Sequence, residues 1–160
     1  MRVVIAMDSF KGSLSSIEAG KAVAEGARRA DSTVECIVCP VADGGEGTSA
    51  ALTEGLHGET VRIPVTGPLG EKITAEYGVV GDLAILEMAQ AAGLPLVPKD
   101  KRNPMHTTTY GVGEMLRDAI NRGCKRFILG IGGSATNDGG AGMLQLSLIH
   151  ISEPTRQAEI

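Results

Sequence analysis

Residues 130–140 read GIGGSATNDGG, directly behind the apolar run Arg126–Ile131 and ahead of a small-residue helical pattern that begins at Gly139–Leu144. Few chains can bury a stretch so rich in Gly, Ser, Thr, Asn and Asp, and it is hard to explain as a plain connection. Between a strand and a helix its backbone N–H groups can instead form a cradle for phosphate or carboxylate. That placement points to an α/β sheet, in which ligands bind at the carboxyl ends of the strands.

The rest of the chain agrees. Arg2–Met7 is a short β-branched apolar run that reads as a buried parallel strand. Ser15-x-x-Glu18 is a capping box opening a helix, with Ala19, Ala22, Val23, Ala27 and Ala30 at helical spacing. Val34–Cys39 is the next strand, and a Gly-rich loop, Ala42–Gly47, leads to a helix near Thr48–Leu56. The pattern then changes. Glu59–Pro64, Lys72–Val80 and Leu83–Met88 follow one another as strands with Gly/Pro turns between them, an antiparallel meander. Behind the loop Pro95–Met105, the residues Val112, Met115, Leu116, Ala119 and Ile120 match a helical stripe that Gly123 ends, and Arg126–Ile131 reads as another buried strand. The expected class is α/β, with a Rossmann/flavodoxin-like β-α-β start in residues 1–64 and the incomplete beginning of a second α/β domain in residues 65–145.

From Leu146 the chain runs LSLIHISEPTRQAEI, which breaks the helical pattern. LSLIHISEPTR looks like a translated sequencing-library adapter, since ctg tct ctt ata cac atc, a transposon end, encodes LSLIHI. Residues 146–160 are therefore expected to be a non-native tail on a truncated chain.

Composition removes several classes. A net charge of −4 and only two Tyr and two Phe provide neither the field nor the stacking platforms of a nucleic-acid binder. No run approaches the roughly 18–20 apolar residues of a membrane span, and the N-terminal apolar run is too short for a signal peptide, so a cytoplasmic location is expected. Cys36 and Cys39 form a C-x-x-C, but inside a strand-like run and with no second Cys/His pair, so structural thiols are expected.

Three loops hold the candidate chemistry. Asp8, Ser9, Lys11, Gly12 and Ser13 put a carboxylate, an ammonium and two hydroxyls beside a helix N-terminus, which favours anions. Asp43, Gly44, Gly45, Glu46 and Gly47 combine glycines that admit close backbone approach with acids that can hold a divalent metal or take a proton. In the third, Gly132, Gly133, Ser134, Thr136, Asn137 and Asp138 line the cradle, and Gly130-x-Gly132-x-x-Ala135 is a loose dinucleotide fingerprint. The fingerprint keeps a nucleotide-dependent oxidoreductase or binding module open. No G-x-x-x-x-G-K-[ST] is present, which disfavours a P-loop kinase. His57 reads as a helix cap, and His106 with Thr107, Thr108 and Thr109 as a helix entry.

MDSFKGSLSS, PVADGGEGT, AAGLPLVP, TTTYGVGEML and GIGGSATNDGG, in this order, resemble the blocks of the bacterial glycerate kinases that phosphorylate D-glycerate at its 2-hydroxyl. The resemblance covers residues 1–145. It implies a two-domain α/β enzyme with its site between the domains, using ATP and Mg2+ to make 2-phosphoglycerate from a small-molecule substrate, without nucleic acid or membrane partners. Members of that family are more than twice this length, so the fragment itself is expected to be inactive. The resemblance further implies that Lys11 neutralises phosphate or the glycerate carboxylate. Asp8 and Asp43 would line the cleft as base or metal ligand, and Asp138 would be the alternative base. Ser9, Ser13, Gly44, Gly45, Glu46 and the third loop would contact substrate or phosphate.

Overall fold

The computed structural model describes residues 1–10 and 13–147. Strand β1 (Arg2–Met7), helix α1 (Ser16–Ala30) and strand β2 (Glu35–Pro40) form a β-α-β unit, with β1 and β2 parallel and Ile5 opposite Val38. The capping box is made: the Ser15 hydroxyl accepts from the Glu18 N–H, and the Glu18 carboxylate accepts from the Ser15 N–H. Helix α2 (Thr48–Gly55) then leads to β3 (Glu59–Thr66), β4 (Lys72–Val80) and β5 (Leu83–Glu87), the expected meander. A short helix α3 (Ala89–Ala92), two single 3-10 turns and helix α4 (Tyr110–Asn121) carry the chain across to β6 (Arg126–Gly130), parallel to β5. Helix α5 (Ala141–Ser147) closes the described part, with Leu146 buried. The expected boundary at 64/65 lies within β3.

The main core lies between the four-stranded sheet, in the order β3-β4-β5-β6, and α4. Ile63, Val65, Ala75, Tyr77, Ala84 and Leu86 share one sheet face because strand side chains alternate. Val112, Met115 and Ala119 of α4 fill it, all fully buried, whereas Ile120 of the expected stripe is exposed.

Three sequence expectations need correction. In α1 the buried set is Ser16, Ala19, Gly20 and Ala24, while Ala22, Val23 and Ala30 face outward. Side chains this small let the helix lie close on the sheet, so the contact line follows the smallest residues and not the most apolar ones. Strand β1 is not buried on both faces. Val3, Ile5 and Met7 turn towards α1, and Val4 on the opposite face is 62% exposed, beside the exposed Ile37. Likewise β6 is a margin strand of its sheet, with Phe127 and Ile128 exposed. An apolar run reports the preference for burial, not whether a covering layer exists.

Cys36 and Cys39 lie three residues apart on β2 and so project to opposite faces. Cys36 is half-buried towards α1, with its thiol 3.8 Å from the Ala24 carbonyl, and Cys39 is exposed. That geometry excludes a shared metal or a disulfide between them.

Candidate functional site

The three loops leave the sheets at strand carboxyl ends. Asp8 follows β1 and Val41 follows β2, and the Val41 N–H donates to the Met7 carbonyl at 3.1 Å, so the first two loops start side by side. Glu87 and Gly130 are register partners, which sets the third loop beside the end of β5.

Glu87 organises the centre. It ends the apolar strand LAILE, is 1% exposed, and accepts the Gly47 N–H at 2.9 Å, the Ser49 N–H at 2.9 Å and the Ser49 hydroxyl at 2.7 Å. A buried carboxylate is tolerated when its lone pairs are met by donors. Here the donors are the first N–H groups of α2, which also offer the positive end of the helix. Gly47, the N-cap, has φ +92°, a left-handed conformation open to glycine, and this turns its N–H onto Glu87. Residue-by-residue reading missed Glu87, although one acid closing an otherwise apolar strand is a signal that could have found it.

The second and third loops touch through their backbones. The Gly132 N–H donates to the Gly44 carbonyl at 2.9 Å. A Cβ on Gly132 would stand 2.7 Å from the Gly45 Cα, and one on Gly130 would stand 2.9 Å from the Gly44 oxygen. Close approach of two chain segments thus accounts for these glycines, which removes the support that the dinucleotide fingerprint drew from them. Within the second loop, Thr48 ties the turn: its hydroxyl donates to the Gly45 carbonyl at 2.7 Å and accepts the Gly44 N–H at 3.1 Å. Exposed Asp43 accepts the Gly45 N–H through Oδ1 at 2.9 Å, and its Oδ2 meets no donor among the described residues of the loop; Glu46 is exposed.

Asp138 is engaged differently. Its Oδ2 accepts the Thr109 N–H and hydroxyl, each at 2.8 Å, and the Gly142 N–H at 3.3 Å, while Oδ1 accepts the Gly140 N–H at 3.0 Å. Partial burial pushes this carboxyl up, but the hydrogen bonds from Thr109, Gly140 and Gly142 outweigh it and hold the group below the ordinary aspartate value. Asp138 therefore joins the start of α4 to the start of α5. Thr109 stands at the helix entry as the sequence suggested, but its bond to Asp138, 29 residues away, was not legible there.

The third loop is also pinned to residues 92–107. Ala135 N–H donates to the Ala92 carbonyl, Leu94 N–H to the Gly133 carbonyl, and the Thr107 hydroxyl to the Ala135 carbonyl. Ser134 and Thr136 pair hydroxyl to hydroxyl at 2.8 Å, and Asn137 is exposed. Between this loop and residues 94–107 lies a cavity of about 210 Å³ that includes Arg102, Thr107, Ser134 and Thr136.

In the first loop, Asp8 accepts the Ser9 N–H at 2.7 Å and Ser13 N–H donates to the Phe10 carbonyl. Lys11 and Gly12 lie outside the described residues. His57 sits past the end of α2 at φ +55°, as a cap does, and His106 is exposed. The Thr108 hydroxyl accepts the Tyr110 N–H at 3.1 Å, at the opening of α4.

The chain is similar to known proteins over most of its length. The family described as the glycerate kinase family matches residues 3–152. A glycerate kinase of Halalkalibacterium halodurans is 53% identical over 145 residues, covering 89% of this chain and 38% of the relative. The glycerate 2-kinase of Escherichia coli is 50% identical over 147 residues, covering 91% and 39%. A crystal structure from Salmonella typhimurium LT2, described as a glycerate kinase 2, superposes with a TM-score of 0.80 at 49% identity, over 91% of this chain and 40% of that one. The chain thus spans less than half the length of the relatives it matches.

Proposed function

This chain belongs to the glycerate kinase family, and on that premise we propose that a full-length protein carrying it transfers the γ-phosphoryl group of ATP to the 2-hydroxyl of D-glycerate. The observation that carries the reading is the 50% identity to a glycerate 2-kinase over 147 residues, a span that includes the loops which follow β1, β2 and β6. Phosphoryl transfer asks for positioning, for donors around the transferred group, and for an acceptor of the hydroxyl proton.

In this reading the backbone of Gly132 and Gly133, with Ser134, Thr136 and Asn137, supplies donors to the bound anion, and Gly44, Gly45 and Glu46 border it. Lys11 neutralises charge on phosphate or on the glycerate carboxylate. Asp43 is the favoured proton acceptor, since one of its oxygens meets no donor in the loop, whereas both Asp138 oxygens are already taken. Asp138 positions the loop.

The carboxylates of the first two loops also fit magnesium, which is usually held by one or two carboxylates together with nucleotide phosphates. With Asp43 as the proton acceptor, Asp8 is the carboxylate left to hold the ion; Asp43 as a ligand would leave the proton to another group. No cluster of three or more His, Cys, Asp or Glu occurs among the described residues, so phosphate oxygens would complete the shell. Magnesium would lower the charge of the transferred group. The enzyme is read as cytoplasmic, and no helix among the described residues is long and apolar enough to cross a membrane.

A coupled ATP-consumption assay on the full-length protein with D-glycerate and magnesium tests the reading. Turnover yielding 2-phosphoglycerate, lost in Lys11→Ala and reduced by about 100-fold or more in Asp43→Asn, is the expected result. Absence of turnover with glycerate would overturn the assignment, and normal turnover in Asp43→Asn would remove its role as base.

A further inference from the structure

The cavity between the third loop and residues 94–107 combines one guanidinium with several neutral polar groups. Arg102 donates through Nε to the Val97 carbonyl at 3.2 Å, which orients the guanidinium while leaving its terminal nitrogens uncommitted, and it has no ion-pair partner among the described residues. The Asn103 side-chain oxygen accepts the Met105 N–H at 3.1 Å, which leaves one lone pair and both amide protons. Ser134 and Thr136 share one hydrogen bond between two hydroxyls, and the Thr136 N–H also donates to the Ser134 oxygen at 3.1 Å. One of their two hydroxyl protons is therefore left to point outward. The Thr107 proton is spent on backbone carbonyls.

The charged member of this set is the Arg102 guanidinium, with the Asn103 amide protons and one Ser134/Thr136 hydroxyl proton beside it. Lys99 and Lys101 precede Arg102 with only Asp100 between them, and add to the positive field. Such a lining suits an acceptor-only anion, and a guanidinium pairs with carboxylate or phosphate in bidentate fashion. At about 210 Å³ the space falls below the roughly 300–1,000 Å³ of sites for larger organic ligands, which suits a few-carbon acid and not a nucleotide. Leu94, Val97 and Pro104 line the remaining wall for a carbon chain.

We propose that this cavity seats the carboxylate of the organic acid substrate, with Arg102 as its anchor and Asn103 and the Ser134/Thr136 pair as orienting donors. The proposal rests on the kinase reading for the identity of the acid, but not for the class of ligand. The third loop then acts at both ends of a small substrate: its Ser134–Thr136 segment holds the acid, and its backbone cradle faces the reacting end.

The test uses the full-length protein and its Arg102→Gln and Thr136→Val variants, with folding checked by circular dichroism. Two readouts are taken: KM for D-glycerate and for ATP, and calorimetric binding of D-glycerate against its neutral amide. The expected result is a rise of about 10–100-fold in glycerate KM and Kd in Arg102→Gln, with ATP KM unchanged. Wild type prefers acid over amide, and Arg102→Gln loses that preference; Thr136→Val shows a smaller rise, and Arg102→Lys recovers part of the loss. An increase confined to ATP KM, or competition by inorganic phosphate alone, would assign the cavity to the nucleotide and overturn the proposal, as would unchanged glycerate binding in Arg102→Gln. If wild type binds small hydroxy acids through Arg102 but phosphorylates none, the cavity assignment stands and the kinase reading falls.

Discussion

The N–H of Gly132 donates to the carbonyl oxygen of Gly44 at 2.9 Å, a backbone bond between two loops that follow strands of different sheets. No side chain takes part, and none fits. The contact makes the second and third loops one surface, so a change in either is transmitted to the other.

Gly132→Ala tests that contact. The added Cβ would lie 2.7 Å from the Gly45 Cα and 2.9 Å from the Gly44 oxygen, both backbone atoms that cannot swing aside. Overpacking of this kind costs about 1–3 kcal/mol. Denaturant unfolding should show a loss of that size, and under the proposed function a full-length protein bearing the change should lose turnover disproportionately, because the loops separate.

Glu87 should be dispensable for chemistry yet not for the site. Glu87→Ala strands the N–H groups of Gly47 and Ser49 in a buried space, and a loss of about 2–4 kcal/mol is expected on unfolding. Glu87→Gln keeps the shape but turns an amide towards donors, so its loss should be intermediate. Equal stability of all three forms would show that α2 does not need this anion.

Asp138 should make stability depend on acid pH. Its native pKa lies below the ordinary 3.8, so the unfolded chain binds the proton more readily. The stabilisation is complete above about pH 4 and is lost as pH falls through the depressed native value. Asp138→Asn should therefore be less stable than wild type at pH 6, and the gap should close as the pH is lowered. A gap that persists unchanged at low pH would contradict this linkage.

At the other end of the pH scale, Tyr77 is the group to watch. Burial raises its phenol above the ordinary 10.0, and the hydrogen bond at 2.6 Å to the Asp118 carboxylate raises it further. A raised native pKa contributes stability below about pH 10 that disappears as pH climbs towards the native value. Tyr77→Phe should cost about 1 kcal/mol at neutral pH and should lack this part of the alkaline decline in Tm.

Much of this could be read in one dimension, and the exceptions have physical causes. The capping box, the meander and the end of α4 at Gly123 depend on residues within a few positions of one another, and all three stand in the structure. Asp43 and Asp138 look alike as acids in Gly-rich loops. They differ because Thr109 meets Asp138 from another part of the chain, while Asp43 meets only its own turn. The exposure of Val4 and Phe127 was equally illegible, since periodicity cannot say which sheet face receives a layer.

The amino-acid order by itself thus determined where most strands, helices and Gly-rich loops occur, because capping, turn chemistry and apolar spacing act over a few residues. It also carried the family. Tertiary structure alone decided that Glu87 becomes the buried anchor of α2, that Gly44 meets Gly132, and that Arg102 faces Ser134 and Thr136 across a cavity. Those relations need segments far apart in the chain to arrive within hydrogen-bonding reach, and long-range packing, not local preference, brings them there.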